Sequence, residues 1–113
     1  MNYAELTYVD VVISSGQTAS AQADLGPGKT LVGVILPATL TSTTMTFTMA
    51  AERAGSHIPV YDVAGGGAYS ITVGTSRYVP VNPTVFAGLG FLKVVGGSSE
   101  GADRTIRLVV RNV

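Results

Sequence analysis

The chain has 113 residues with no cysteine, no tryptophan and one histidine; only 12% of its residues are charged, while 46% are apolar. That length holds one modest core, and two separate cores would each be too small to stand without disulfides or metal, so a second domain is excluded. Seven basic and seven acidic residues leave no formal net charge, and the basic ones are dispersed, which argues against nucleic acid and against an anionic membrane surface as partners.

In chain order, Met1 to Leu6 precedes the first strong strand and reads as an N-terminal arm able to reach a neighbour. Val9 to Ile13 is uniformly apolar and reads as a central strand, as do Leu31 to Leu36 and Phe91 to Val95. Ala19 to Ala23, Ile58 to Val63 and Arg77 to Val81 are weaker strand candidates; Pro59 and Pro80 cannot donate a ladder hydrogen bond and place the last two at an edge or an end. Period-two alternation marks Met45 to Met49, Tyr69 to Val73 and Thr105 to Arg111, each with one buried and one wet face.

Glycine-rich turns separate these runs at Ser14-Ser15-Gly16, Gly26-Pro27-Gly28, Ala54-Gly55-Ser56, Gly65-Gly66-Gly67 and Gly96-Gly97-Ser98-Ser99. The one helical signal is Asn82 to Gly88, where Asn82 suits the cap, Pro83 the first helical position and Gly88 the exit. The expected fold is all-β: an antiparallel two-sheet sandwich, jelly-roll-like, with one short helical turn near residues 83–87. Residues 1–113 form a single domain, with 1–6 as the arm.

The chemistry-bearing residues are sparse. Gly28-Lys29-Thr30 looks like the end of a phosphate loop, but the required earlier glycine is Ala23 and Leu31 to Leu36 is strand-like where a helix is needed, so a hairpin turn is expected. Gly88-Leu89-Gly90 lacks a third glycine and a βαβ context. His57 is the sole imidazole, and Asp10, Asp24, Asp62 and Asp103 are too widely spaced to suggest a zinc site with it. No serine sits in a nucleophile elbow.

The reading is therefore no catalytic residue, no cofactor-binding residue, no metal ligand and no enzyme. Most of Tyr3, Tyr8, Tyr61, Tyr69 and Tyr78, with Phe47, Phe86 and Phe91, fall at inward or half-buried strand positions, so core or interface packing is expected. Asp103-Arg104 is expected to act as a structural pair that fixes the final turn.

A soluble domain is typically about a quarter charged, so half the usual surface charge is missing here. With a mean hydropathy of +0.39 and no net charge, association with other copies is expected. Absent cysteines fit a reducing cytosol. The N-terminus has no basic region or apolar core of signal-peptide length, and the longest apolar run is far short of a bilayer span, so a soluble protein without a cleaved signal is expected.

Over roughly residues 20 to 113 the sequence resembles a family of small β-sandwich virion proteins of tailed bacteriophages and gene transfer agents. The resembling residues are Asp24-Leu25-Gly26, Leu31 to Val34 with Pro37, Leu40 to Phe47, Tyr61-Asp62 and Arg77-Tyr78-Val79. They continue through Asn82-Pro83, Phe86-Ala87-Gly88, Phe91 to Val94 and Ala102 to Ile106. One departure is the stretch Gly97 to Gly101, shorter than the loop of those relatives.

The resemblance implies an accessory shell component, of the head-decoration, cement or spike-base type, and carries over no catalytic residue. The expected partners are other copies of the chain and a major capsid or other virion protein, with the protein made in the host bacterial cytoplasm and residing in the virion. A glycan- or receptor-binding module of a tail or fibre is the alternative, and it predicts exposed tyrosines gathered at one end.

Overall fold

The computed structural model describes residues 6–25, 29–53, 55–63, 67–86 and 90–112; Met1 to Glu5 of the expected arm, the Gly26-Pro27-Gly28 turn, Ala54, Gly65-Gly66 and Gly88 lie outside them. The elements in order are β1 (Leu6–Ile13), β2 (Ala23–Asp24), β3 (Lys29–Ile35), β4 (Thr44–Ala50), β5 (Ile58–Pro59), β6 (Ser70–Thr72), β7 (Tyr78–Pro80), α1 (Pro83–Phe86), β8 (Phe91–Gly96) and β9 (Arg104–Asn112). Strands β1-β9-β3-β7 form a four-stranded sheet, and β2-β8-β4-β5, with β6 also on β4, form a five-stranded one. All these pairings are antiparallel. The chain crosses between the sheets after β1, β2 and β3 and again after β6, β7 and β8, which is the jelly-roll wrap. The all-β two-sheet sandwich with a single helical turn is thus the observed fold.

Alternation builds the core directly. Ile106, Leu108 and Val110 of β9 face Met45 and Phe47 of β4 in one cluster with Val11, Ile13, Leu31, Val34, Leu92 and Val94, all buried. Phe86 joins it edge-on to Phe47, ring centroids 5.0 Å apart, and to Tyr69 at 5.6 Å. The turn that delivers Phe86 starts as the sequence predicts: the Asn82 Oδ1 accepts the Thr84 N–H at 3.1 Å, an N-cap that satisfies a donor the short helix leaves free. The Asn82 N–H donates to the Tyr69 hydroxyl at 2.9 Å, tying the turn to β6's entry.

Three expectations change. β1 is an edge strand, not a central one: its buried residues alternate, with Val11 and Ile13 inward and Tyr8 and Val12 exposed. An apolar residue on the outward face looks, in sequence, like a second buried face. Ala19 to Ala23 contributes isolated bridges at Ala19 and Ser20 and only the two-residue β2. Ile58 to Val63 likewise shrinks to β5 and a bridge at Tyr61. Pro59 and Pro80 do lie on strands at sheet edges, where a missing N–H is tolerated.

Candidate functional site

The apolar excess of the sequence reaches the surface on the outward face of the four-stranded sheet. In β1 the outward residues are Leu6, Tyr8, Asp10 and Val12, all exposed. Opposite them on β9, Val109 pairs with Tyr8 and Arg107 with Asp10.

On β3 the register shifts between Leu31 and Gly33, so that Val32 and Gly33 together oppose the single Val109. This is a β-bulge, which adds a residue on one side and kinks the strand. Close approach is why Gly33 is needed: a Cβ there would collide with the ring of Tyr78, which lies across the glycine. The Tyr78 hydroxyl is held by donating to the Val32 carbonyl at 3.2 Å. Leu6, Tyr8, Val32, Ile35 and Tyr78 wall a shallow groove of about 320 Å³ floored by Val109, with Arg111 at one end.

Two of the charges on this face, Asp10 and Arg107, cancel. Arg107 Nε and Nη2 donate to the two carboxylate oxygens of Asp10 at 2.8 and 3.2 Å, the forked geometry that suits a guanidinium. Those hydrogen bonds hold the Asp10 carboxyl below its ordinary pKa and raise that of Arg107. The guanidinium also sits 5.9 Å from the centre of the Tyr8 ring. What remains is an aromatic and aliphatic face with Asp10 and Arg107 paired and Arg111 exposed at one end, which can bind by excluding water.

Sequence reasoning missed a second carboxylate. Glu100 is 1% exposed, and its oxygens accept the Thr41 and Ser42 N–H groups at 2.8 and 2.9 Å, the Ser42 hydroxyl at 2.8 Å and Arg104 Nε at 3.0 Å. Burial alone would raise its pKa, but these four donors overcome it and hold the carboxyl at about 2. Arg104 therefore pairs with Glu100 and not with Asp103, as the sequence suggested; Asp103 instead accepts the Ser15 N–H at 2.9 Å. The entry to β9 is fixed by Asp103 reaching Ser15 and by Glu100 reaching Thr41 and Ser42, all distant in sequence. The only local hint was a Glu four residues before an Arg.

His57 is half-buried, entering β5, and its Nε2 is buried without a hydrogen-bond partner among the described residues. No three of His, Cys, Asp and Glu converge among the described residues, so Asp10, Asp24, Asp62 and Asp103 are not gathered around it. Lys29 and Thr30 open β3, with no helix after them. No described helix is long and apolar enough to cross a membrane. Of the aromatics, Phe47 and Phe86 are buried and Tyr69 half-buried as expected, but Tyr8, Tyr61 and Tyr78 are 55%, 62% and 50% exposed. Tyr8 and Tyr78 share the outward face; Tyr61 lies by β5 of the other sheet, beside exposed Ile58 and Val63. Tyr3 lies outside the described residues.

No family model matches the sequence, and no curated protein matches it. Solved structures do. The SPBc2 prophage-derived protein YomS aligns over 99% of this chain and 99% of its own, with TM-score 0.56 and 16% identity. The likeness is one of fold. A protein of the Bacillus endospore appendages, a family of disulfide-linked pili, aligns over 99% of this chain and 91% of its own at 11% identity and TM-score 0.41, too distant to bear on the reading.

Proposed function

We propose that this chain is a non-enzymatic structural protein of a tailed-phage virion that self-associates and docks on the capsid as a decoration, cement or spike-base component. The observation that carries the reading is the outward face of the four-stranded sheet: aromatic and aliphatic, shallow, and with its Asp10–Arg107 charges mutually neutralised. A face of that kind gains by being covered, and the Asp10–Arg107 pair covers without stranding its charge; Arg111, at the groove's end, is the cation a partner has to meet. The fold shared with a prophage-derived protein and the family resemblance of residues 20 to 113 support the same setting. Mass spectrometry of purified particles, with light scattering of the isolated protein, tests it. The chain is expected in particles at fixed stoichiometry and as an oligomer in solution. Absence from particles together with a monodisperse monomer at high concentration sinks it.

The exposure of Tyr8 and Tyr78 beside one groove favours a second reading, a glycan- or receptor-binding module. Tight, saturable binding of a host polysaccharide by the isolated domain, lost in Tyr78→Ala, would select it over the first.

A further inference from the structure

Sheet edges are where one chain recruits another, and they are blunted by shortness, proline, lysine or a bulge. Three edges of this sandwich carry such devices. β7 has three residues ending in Pro80, β2 has two, and β5 has two including Pro59. β1 carries none. It is eight residues long, contains no proline or lysine, and pairs with β9 in unbroken register from Leu6 to Ile13. Its only charge, Asp10, is held by Arg107.

The backbone orientation of that edge is fixed. The Val12 carbonyl accepts the Ala21 N–H at 3.1 Å, so Val12 turns its polar backbone away from β9. By the two-residue period of a strand, Asp10, Tyr8 and Leu6 turn theirs the same way. Residues 20 and 21 cover only the Val12–Ile13 end, and no described strand pairs with the rest.

We infer that two copies of this chain pair edge to edge through β1, antiparallel about a two-fold axis at Tyr8, setting Tyr8 opposite Tyr8 and Leu6 opposite Asp10 of the second copy. This rests on the self-association proposed above and names the surface that performs it. Three features fit a second copy of the chain better than a different partner. An antiparallel strand is its own complement under two-fold symmetry. The register brings each Asp10 against Leu6 and not against a like charge. The joined eight-stranded sheet would end on both sides in β7, whose Pro80 stops further addition, so the assembly closes as a dimer instead of growing as a fibre. Pairing also sets the two apolar grooves side by side across the new seam, since Leu6 and Tyr8 wall both.

The test uses the intact chain. Light scattering is expected to show a dimer that Tyr8→Lys weakens by about tenfold or more, because like charges then face each other at the axis, while Tyr61→Lys, exposed beside the other sheet and outside the groove, leaves the dimer intact. As the chain has no native cysteine, Tyr8→Cys gives a single thiol that a short bismaleimide should couple into a covalent dimer, and Tyr61→Cys should not. Should Tyr8→Lys fail to fold, hydrogen exchange of the unmodified protein decides: the Leu6, Tyr8 and Asp10 amides should be protected, and lose protection on dilution. A wild-type monomer at high concentration overturns both the self-association reading and this inference. A wild-type oligomer unmoved by Tyr8→Lys, or one with those amides unprotected, overturns the edge alone and leaves self-association standing.

Discussion

Two carboxylate–arginine pairs flank β9, and they differ in nearly everything but chemistry. Asp10–Arg107 lies on the outward face with both side chains about half exposed. Glu100–Arg104 lies in the loop before the strand, with Glu100 sealed and Arg104 almost so. The first cancels charge on the outward face beside the groove. The second is structural: Glu100 gathers donors from residues 41, 42 and 104 and so ties the loop before β4 to the loop before β9. The same chemistry thus neutralises a wet surface in one place and orders two loops in the other.

Breaking the buried pair should have the largest effect. Glu100→Ala leaves Arg104 and two backbone N–H groups without their acceptor and is expected to lose about 3–5 kcal/mol, read as a drop of more than about 10 °C in Tm. An unchanged Tm would mean that the loop does not depend on this carboxylate.

Acid should come next. Because the Glu100 carboxyl sits at about 2 in the fold against an ordinary 4.5, the unfolded chain binds the extra proton between those values. Its contribution, on the order of 3 kcal/mol, is then complete above pH 4.5 and is lost as pH falls toward 2. Denaturation midpoints measured across that window should fall steeply in the native protein and less so in Glu100→Gln.

Gly33→Ala should be intermediate. Its methyl meets the Tyr78 ring, which must swing off the bulge, at about 1–3 kcal/mol and with a change in the tyrosine's near-ultraviolet dichroism. The smallest effect belongs to the exposed pair: Asp10→Asn should change stability by less than about 1 kcal/mol, and by less still in high salt. A loss as large as that of Glu100→Ala would erase the distinction between the two pairs.

The sandwich was legible because its strands alternate cleanly: Met45, Phe47, Ile106, Leu108 and Val110 lie inward in sequence and in space. The Asn82–Pro83 start of the helical turn was legible for the same local reason. The groove was not. Tyr8 and Val12 read as burial because hydrophobicity records preference and not outcome, and the proximity of β1 to β9 depends on pairing across nearly the whole chain. The bulge at Val32–Gly33 was hidden inside an apolar run, since a register shift leaves no mark on composition. Glu100 was hidden because its main partners, Thr41 and Ser42, are distant in sequence and ordinary in kind.

The two exteriors also part company in a way that composition averaged away. Thr44, Thr46, Thr48, Ser70 and Thr72 give β4 and β6 of the five-stranded sheet a hydroxyl face, with exposed apolar residues at its β5 end, whereas Leu6, Tyr8 and Val12 make the outward face of β1 mostly apolar.

The Leu6–Arg111 pairing has a further consequence during synthesis. As the ribosome delivers the chain, β1 emerges well before β9, the strand that completes it, and has to wait for it. Closing so long a loop is slow, and a nascent β1 is open to capture by a neighbouring nascent chain on the same messenger. Exchange of that strand between copies, rather than loss of the core, is the misfolding route this topology invites.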